Sequence, residues 1–373
     1  MSWPIDKLRQ SGPWKAARDW RQLWRAEDLR RRSLQGIALP LPRGLVLEPT
    51  QRCNLSCLMC CHRQHHTEQN CRELDTAEAL GLIRRLRSQN GFRSIGFIGS
   101  EPFVRDDLEQ LMLVAVELGM AVSVQTNSTL LTPERIEIWA GQRGRVRSFG
   151  TSLEGPAGVD DRIRPGRDVF VRARRGIELA VRAGLPVTVS ILILDQNREQ
   201  LPELISLLGR MEVRSIDLSL VVNHGRPEVE ETVRLSGLSS SEVCITTLPE
   251  LEYRTSPEHL RQSLRGGLDL AGSMGMRAST SPEGFVGHFD AIRDGSIRRK
   301  RRLACGALDT VRVDPAGQLI HCQHFRRSFG DLNKVGLKEA WNSPELIEFR
   351  RRLAGNNLFP ICVDCYRMRI LPS

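Results

Sequence analysis

The chain has 373 residues, 40% of them hydrophobic, which suits one large α/β unit with attachments and a sizeable core. Lys and Arg number 54 against 44 Asp and Glu, a formal charge of +10 that admits acidic substrates, an anionic membrane or nucleic acid. No apolar run reaches the roughly 18 to 20 residues of a membrane helix, MSWPIDKLRQ lacks the apolar stretch of a secretory signal, and the basic residues are spread without interleaved aromatics. A cytoplasmic protein without a nucleic-acid partner or a transmembrane segment is therefore expected.

Residues 1–43 read as a helical extension. Ala16, Ala17, Trp20, Leu23 and Trp24 recur at helical spacing, with Lys15, Arg18, Arg21 and Arg25 on another face. The pattern predicts a helix whose aromatic face packs on the body of the protein; a membrane-surface or partner helix is the alternative.

From residue 44 strand and helix alternate. Strands are predicted at 44–49, 94–99, 121–126, 147–153, 186–194 and 215–222, with helices near 76–88, 106–119, 133–141, 168–184 and 197–210. Such alternation predicts a parallel sheet with crossover helices. Six units are too few to close an eight-stranded barrel. The fold class expected is thus α/β, a partial (β/α)6 TIM-type barrel with its ligand site at the C-terminal strand ends. Residues 223–300 are less regular and read as a connector or insertion. Residues 301–373 read as a cysteine-bearing end, with a hairpin of TVRVD, a turn at 315–317, and QLIHC.

Ten cysteines are many for a reducing compartment, where clustered thiols more often hold metal than form disulfides. Strand GLVLEPT runs into QRCNLSCLMCC, which sets Cys53, Cys57 and Cys60 at spacings of four and three. Soft thiolates select iron–sulfur clusters or zinc. Three ligands leave one iron of a cubane open to a further molecule. Cys61 follows Cys60 and is expected to point elsewhere. His62, His65 and His66 read as loop histidines. A second set, Cys305, Cys322, Cys362 and Cys365, can fully ligate one centre, iron–sulfur or zinc. Cys71 and Cys244 stand apart from both sets.

The CxxxCxxC run resembles that of the radical S-adenosylmethionine (SAM) superfamily. Later strand ends extend the likeness: Gly99-Ser100-Glu101-Pro102 is similar to the family's GGEP, Gln125-Thr126-Asn127 to its TNG, and Ser152-Leu153-Glu154-Gly155 to its SLDG. The resemblance covers residues 44–222. It implies that Cys53, Cys57 and Cys60 hold a [4Fe–4S] cluster whose open iron binds SAM. It also implies SAM contacts from Met59, Gly99, Ser100, Glu101, Asn127, Ser152 and Glu154, with Glu101 receiving the methionine ammonium and Ser152 on the ribose side. Met59 stands where the family usually has an aromatic residue, and its soft side chain can still pack on a ring.

The C-terminal stretch, with Asp331-Leu332 and Ala340-Trp341-Asn342-Ser343, resembles the SPASM/twitch extension of that family. The likeness implies one auxiliary [4Fe–4S] cluster on Cys305, Cys322, Cys362 and Cys365, of the shorter twitch kind. Together these marks imply an oxidoreductase that cleaves SAM reductively and takes hydrogen from a small polar or sugar-like metabolite, with net oxidation. A maturase of ribosomally made peptides is the near alternative. A non-catalytic zinc-binding nucleic-acid scaffold is the alternative of another class. An electron donor such as flavodoxin or ferredoxin is also implied. Glu154, His224 and His324 are candidates for a substrate base.

Overall fold

The computed structural model describes residues 13–61, 72–221, 223–245, 248, 251–282 and 285–372. His62, His65, His66 and Cys71 lie outside the described residues.

The first six strands are β1 Gly44–Leu47, β2 Ser94–Phe97, β3 Ala121–Gln125, β4 Val146–Ser152, β5 Val187–Ile193 and β6 Ser215–Leu220. Each pairs in parallel with the next. Parallel pairing demands a crossover, and helices supply it. After the N-terminal helix α1 (Pro13–Leu34), these are α2 (Thr76–Asn90), α3 (Leu108–Glu117), α4 (Pro133–Gly141), α5 (Val159–Ile163), α6 (Val169–Arg182) and α7 (Leu201–Arg210). Local chemistry sets their ends. Asp75 and Glu78 form a reciprocal capping box on α2, and Gly91 closes it with φ 66°. Thr132 caps α4, with Pro133 in its first turn. Gly176 lets α6 approach the preceding loop, because a Cβ there would sit 2.2 Å from the Ser128 carbonyl oxygen.

The sheet is longer than predicted. After α8 (Arg226–Ser236) and α9 (Pro257–Ser273), β7 (Arg277–Ser281) pairs in parallel with β6. The segment read as a connector therefore contributes a seventh βα unit. Sequence RASTS hides the strand, since it lies at an edge and buries no alternate residue fully.

The C-terminal part extends the same sheet. The short helices α10 (Phe289–Arg293) and α11 (Ile297–Lys300) lead to β8 (Leu303–Cys305). Then β9 (Val311–Val313) pairs in parallel with β1, β10 (Gln318–Cys322) folds back on β9, and β11 (Phe325–Asp331) on β10. The 315–317 hairpin turn is as predicted, with Gly317 at φ 83°. The ten strands run β11-β10-β9-β1-β2-β3-β4-β5-β6-β7, so β11 and β7 are the outermost strands and the barrel stays partial, with Phe325 of β11 bridging to Val243. After α12 (Leu337–Trp341) and α13 (Pro344–Gly355), β12 (Met368–Ile370) pairs with β8 in a separate two-stranded sheet.

Helix α1 packs on this C-terminal part, though not by the face predicted. Among its described side chains Ala26, Glu27, Leu29 and Ser33 are buried, whereas Trp24 is 65% exposed. Arg25 pairs with Asp309, and Arg302 with Glu27.

Candidate functional site

The parallel strands bring their C-terminal ends to one rim. Cys53, Cys57 and Cys60 follow β1, Glu101 follows β2, Asn127 follows β3, Glu154 follows β4 and Asn197 follows β5. The cysteine loop is held to this rim by polar contacts. Asn127 donates to the Asn54 side chain at 2.9 Å and reaches Cys53 Sγ at 4.0 Å, while the Leu55 amide points at the same sulfur at 3.4 Å. Burial pushes the Cys53 thiol up to about 11, and Glu101 and Cys60 add to it. Burial likewise pushes Cys57 up to about 12, against the pull of Arg164.

Glu101 is fully buried, and its carboxylate braces the rim internally. Oε1 accepts from the Phe103 amide at 3.1 Å and Thr126 Oγ1 at 2.7 Å, and Oε2 accepts from the Asn127 amide at 2.6 Å. Burial raises its carboxyl to about 7 despite these donors. The side chain expected to receive an ammonium group thus ties the end of β2 to the end of β3. Gly99 and Ser100 just before it are half-exposed. A Cβ on Gly99 would meet Glu48 Cβ at 3.3 Å and the Thr50 carbonyl oxygen at 3.4 Å, so glycine is what lets this loop lie against the strand-β1 exit.

Glu154 belongs to a buried network that the sequence reading missed. Its carboxylate accepts from the Leu192 amide at 2.7 Å, and burial pushes it up to about 7 against the attraction of Arg164. Its amide donates to Asp160 and its carbonyl accepts from Asn197 Nδ2. Arg164 and Asp160 form a two-point ion pair with both side chains almost fully buried. Arg164 Nη1 also donates to the Ser152 carbonyl at 3.0 Å. A buried cation thus stands beside Cys57 and Glu154. The available sequence signal was the Asp-x-x-x-Arg spacing just past SLEG, which sets the two on one helix face. Ser152 Oγ is half-buried, 3.5 Å from Gln125 Nε2. Met59 packs on an apolar cluster of Val159, Ile163, Leu194, Val221 and Leu251 over the same rim.

The second cysteine set also converges. Cys305 ends β8, Cys322 ends β10, Cys362 ends the short helix Pro360–Cys362, and Cys365 follows. All four line one small cavity with Tyr366 and His324. The Ala307 amide points at Cys305 Sγ and the Arg367 amide at Cys365 Sγ, both at 3.4 Å. Burial raises all four thiols, Cys322 to about 12, and the other thiols of the set add to the rise in Cys322, Cys362 and Cys365.

Crowded, buried thiols with amides aimed at sulfur suit a metal centre, because the bound cation is what makes such ligands ionise. Among the described residues no group of three or more His, Cys, Asp and Glu gathers tightly enough for one ion. Soft thiolate donors of this kind are taken by iron–sulfur clusters and by zinc alike. His224 pairs with Asp364 at 3.0 Å beside Cys365, and His324 shares a contact with the Cys244 carbonyl at 3.1 Å, so both candidate bases stand at the second cysteine set.

Two family models match these two parts of the chain. The model of the radical SAM superfamily matches residues 47–208, and that of an iron–sulfur cluster-binding domain (SPASM) matches residues 305–366. AdoMet-dependent heme synthase of Oleidesulfovibrio alaskensis is 30% identical over 319 residues, 82% of this chain and 76% of that protein. PqqA peptide cyclase of Gluconobacter oxydans is 25% identical over 333 residues, 87% of this chain and 83% of that protein. In three dimensions the chain is similar to Streptococcus suis SuiB bound to precursor peptide SuiA, with TM-score 0.61 and 16% identity over 90% of this chain and 71% of that one. It is also similar to anSMEcpe with bound AdoMet and the Cp18Cys peptide, with TM-score 0.58 and 17% identity over 82% and 81%. At those identities the likeness shows the fold alone.

Proposed function

The chain belongs to the radical SAM superfamily, and from that premise we propose that it abstracts hydrogen from a small polar metabolite and releases it oxidised. Two iron–sulfur centres go with the two matched domains. When bound, the first supplies the electron that cleaves SAM and so generates the radical that takes hydrogen, and the second offers a place for the electron the substrate gives up. In this reading Cys53, Cys57 and Cys60 hold the first, and Cys305, Cys322, Cys362 and Cys365 hold the second. The half-exposed Gly99–Ser100 backbone, Asn127 and Ser152 receive SAM's polar groups, and Met59 packs on its adenine. Glu101 and the Asp160–Arg164 pair hold the rim in shape beneath them. Glu154, which accepts from the Leu192 amide, has its carboxyl pushed up to about 7 by burial beside that rim.

The observation that supports this reading best is the pairing of β9 with β1, which joins the strand leading into the Cys53 loop to the hairpin that carries Cys322. The name of a relative, AdoMet-dependent heme synthase, points to a metabolite substrate. A peptide substrate is the second reading, favoured by the PqqA peptide cyclase likeness and by SuiB's fold. The test is anaerobic turnover of the reconstituted protein with SAM and a reductant. Fe-coproporphyrin III, a compound named in another relative, and a precursor peptide encoded beside the gene serve as probes. Formation of 5′-deoxyadenosine that rises with the metabolite, and a product short of two hydrogens, supports the first reading. The same result with the peptide alone replaces it with the second, and no 5′-deoxyadenosine with or without either probe refutes both.

A further inference from the structure

Away from both cysteine sets, the chain builds a concentrated positive cleft. Helix α11 and the two residues after it read Ile297-Arg298-Arg299-Lys300-Arg301-Arg302. Arg298 to Arg302, with Arg30 from α1, line a cleft of about 340 Å³. That volume lies at the small end of the range of small-molecule sites.

The basic turn is locked in place. Asn357 Nδ2 donates to the carbonyls of Arg298 and Arg301 at 2.6 and 2.7 Å, and its Oδ1 accepts from the Leu303 amide at 2.8 Å. Arg302 donates to Glu27 at 3.1 Å and to the Pro372 carbonyl at 2.8 Å. Carboxylates do reach this group: Glu27 holds Arg302 and also serves Arg31, Glu231 acts on Arg298, and Asp294 acts on Lys300 and Arg299. Two guanidinium nitrogens, Arg30 Nε and Arg298 Nε, are buried with no acceptor among the described residues. A buried donor without an acceptor is costly, and like charges held this close repel unless a counter-charge joins them.

We propose that this cleft is a binding site for a small polyanion carrying adjacent phosphoryl groups, a diphosphate or triphosphate. Planar guanidinium forks match phosphoryl oxygens at two points each, and five of the six cations are Arg. The site lies where α1 meets the segment leading into β8, so a bound anion bridges the N-terminal helix to the second cysteine domain. It does not depend on what substrate the rim accepts.

The test is titration calorimetry on the purified full chain at about 150 mM salt, where exposed charges are screened beyond about 8 Å, with sodium pyrophosphate and ATP as separate probes. One site per chain with a Kd below about 100 µM, and a rise in unfolding temperature on binding, is the expected result. The exposed double variant Arg299→Ala/Lys300→Ala weakens it about tenfold or more, with an unchanged circular dichroism spectrum. Arg226→Ala, an exposed charge elsewhere, leaves it unchanged. Equal affinity for the two probes assigns the site to the anion alone, and tighter ATP to a nucleotide. Many weak sites, equal weakening in the Arg226 variant, or no heat with either probe overturns the proposal.

Discussion

Arg312 Nε donates to Glu48 Oε1 at 2.6 Å with both side chains only 3% exposed, and Arg326 holds the other carboxylate oxygen at 3.0 Å. Glu48 leaves strand β1 a few residues before Cys53; Arg312 and Arg326 sit on β9 and β11. The triad therefore fastens the cysteine loop of the core to the C-terminal strands. Burying charges is costly, and removing one partner leaves the others uncompensated. Glu48→Gln keeps the shape but faces two buried guanidiniums with a neutral amide. It is expected to lower unfolding stability by about 3–5 kcal/mol, measured by urea denaturation. Replacing Glu48, Arg312 and Arg326 together with apolar residues recovers part of that loss. A Glu48→Gln cost under about 1 kcal/mol, the level of an exposed pair, would contradict the brace.

The two cysteine sets predict separable iron. Anaerobically reconstituted protein should hold about eight irons, four for each cubane. Cys57→Ala should leave about four and abolish 5′-deoxyadenosine formation. Cys362→Ala should also leave about four, yet keep SAM cleavage while blocking the oxidised product. Iron and sulfide assays beside product chromatography make the comparison. Retention of all the iron in either variant refutes that ligand assignment, and stoichiometric zinc in place of iron refutes the cluster reading of the set.

How far the sequence reaches is visible residue by residue. Alternating runs such as VTVSILI place β5 correctly, because β-branched residues on a buried strand leave a strong pattern. The cysteine spacings and the strand-end motifs are local and so are legible. What escaped depends on distant partners. RASTS carries no apolar alternation, and it becomes a strand because the edge of β6 was left to pair. Arg164 and Asn197 look like ordinary helix and turn residues until the fold closes them around Glu154. Trp20 and Trp24 follow a helical period, but Leu29 and Ala26 form the contact face instead, and a period alone does not say which stripe finds a partner.

Cys244 carries a structural role that its position in the sequence conceals. Its Sγ donates to the Cys61 carbonyl at 3.0 Å, and its amide donates to the His324 carbonyl at 2.9 Å. It thus joins the residue after Cys60 to the residue two beyond Cys322. Cys244→Ala removes the side-chain contact and leaves the part-buried Cys61 carbonyl without that donor, an expected loss of about 0.5–1.5 kcal/mol. Cys244→Ser, which keeps a donor, should lose less. Thermal unfolding of the two variants decides it, and an equal loss in both would mean the thiol matters only as packing.

Asp314 in the β9–β10 turn gives a pH dependence with a definite sign. Burial pushes its carboxyl up to about 6 from the ordinary 3.8, with nearby Glu48 adding to the rise and the Gln318 and Ala316 amides and Arg326 opposing it. The folded state holds this proton more tightly than the unfolded chain does. Its contribution to stability is therefore full below about pH 4 and is lost as pH rises through about 6. Asp314→Asn keeps an acceptor for the two turn amides, which Asp314 Oδ1 holds at 2.9 Å each, and removes the titration. The wild-type chain should lose stability relative to Asp314→Asn across that window, by about 3 kcal/mol at most. Urea unfolding of both proteins at intervals from pH 4 to about 7 measures the difference. Parallel curves, or a wild type that gains on the variant as pH rises, would show that the Asp314 carboxyl is not held protonated by its surroundings.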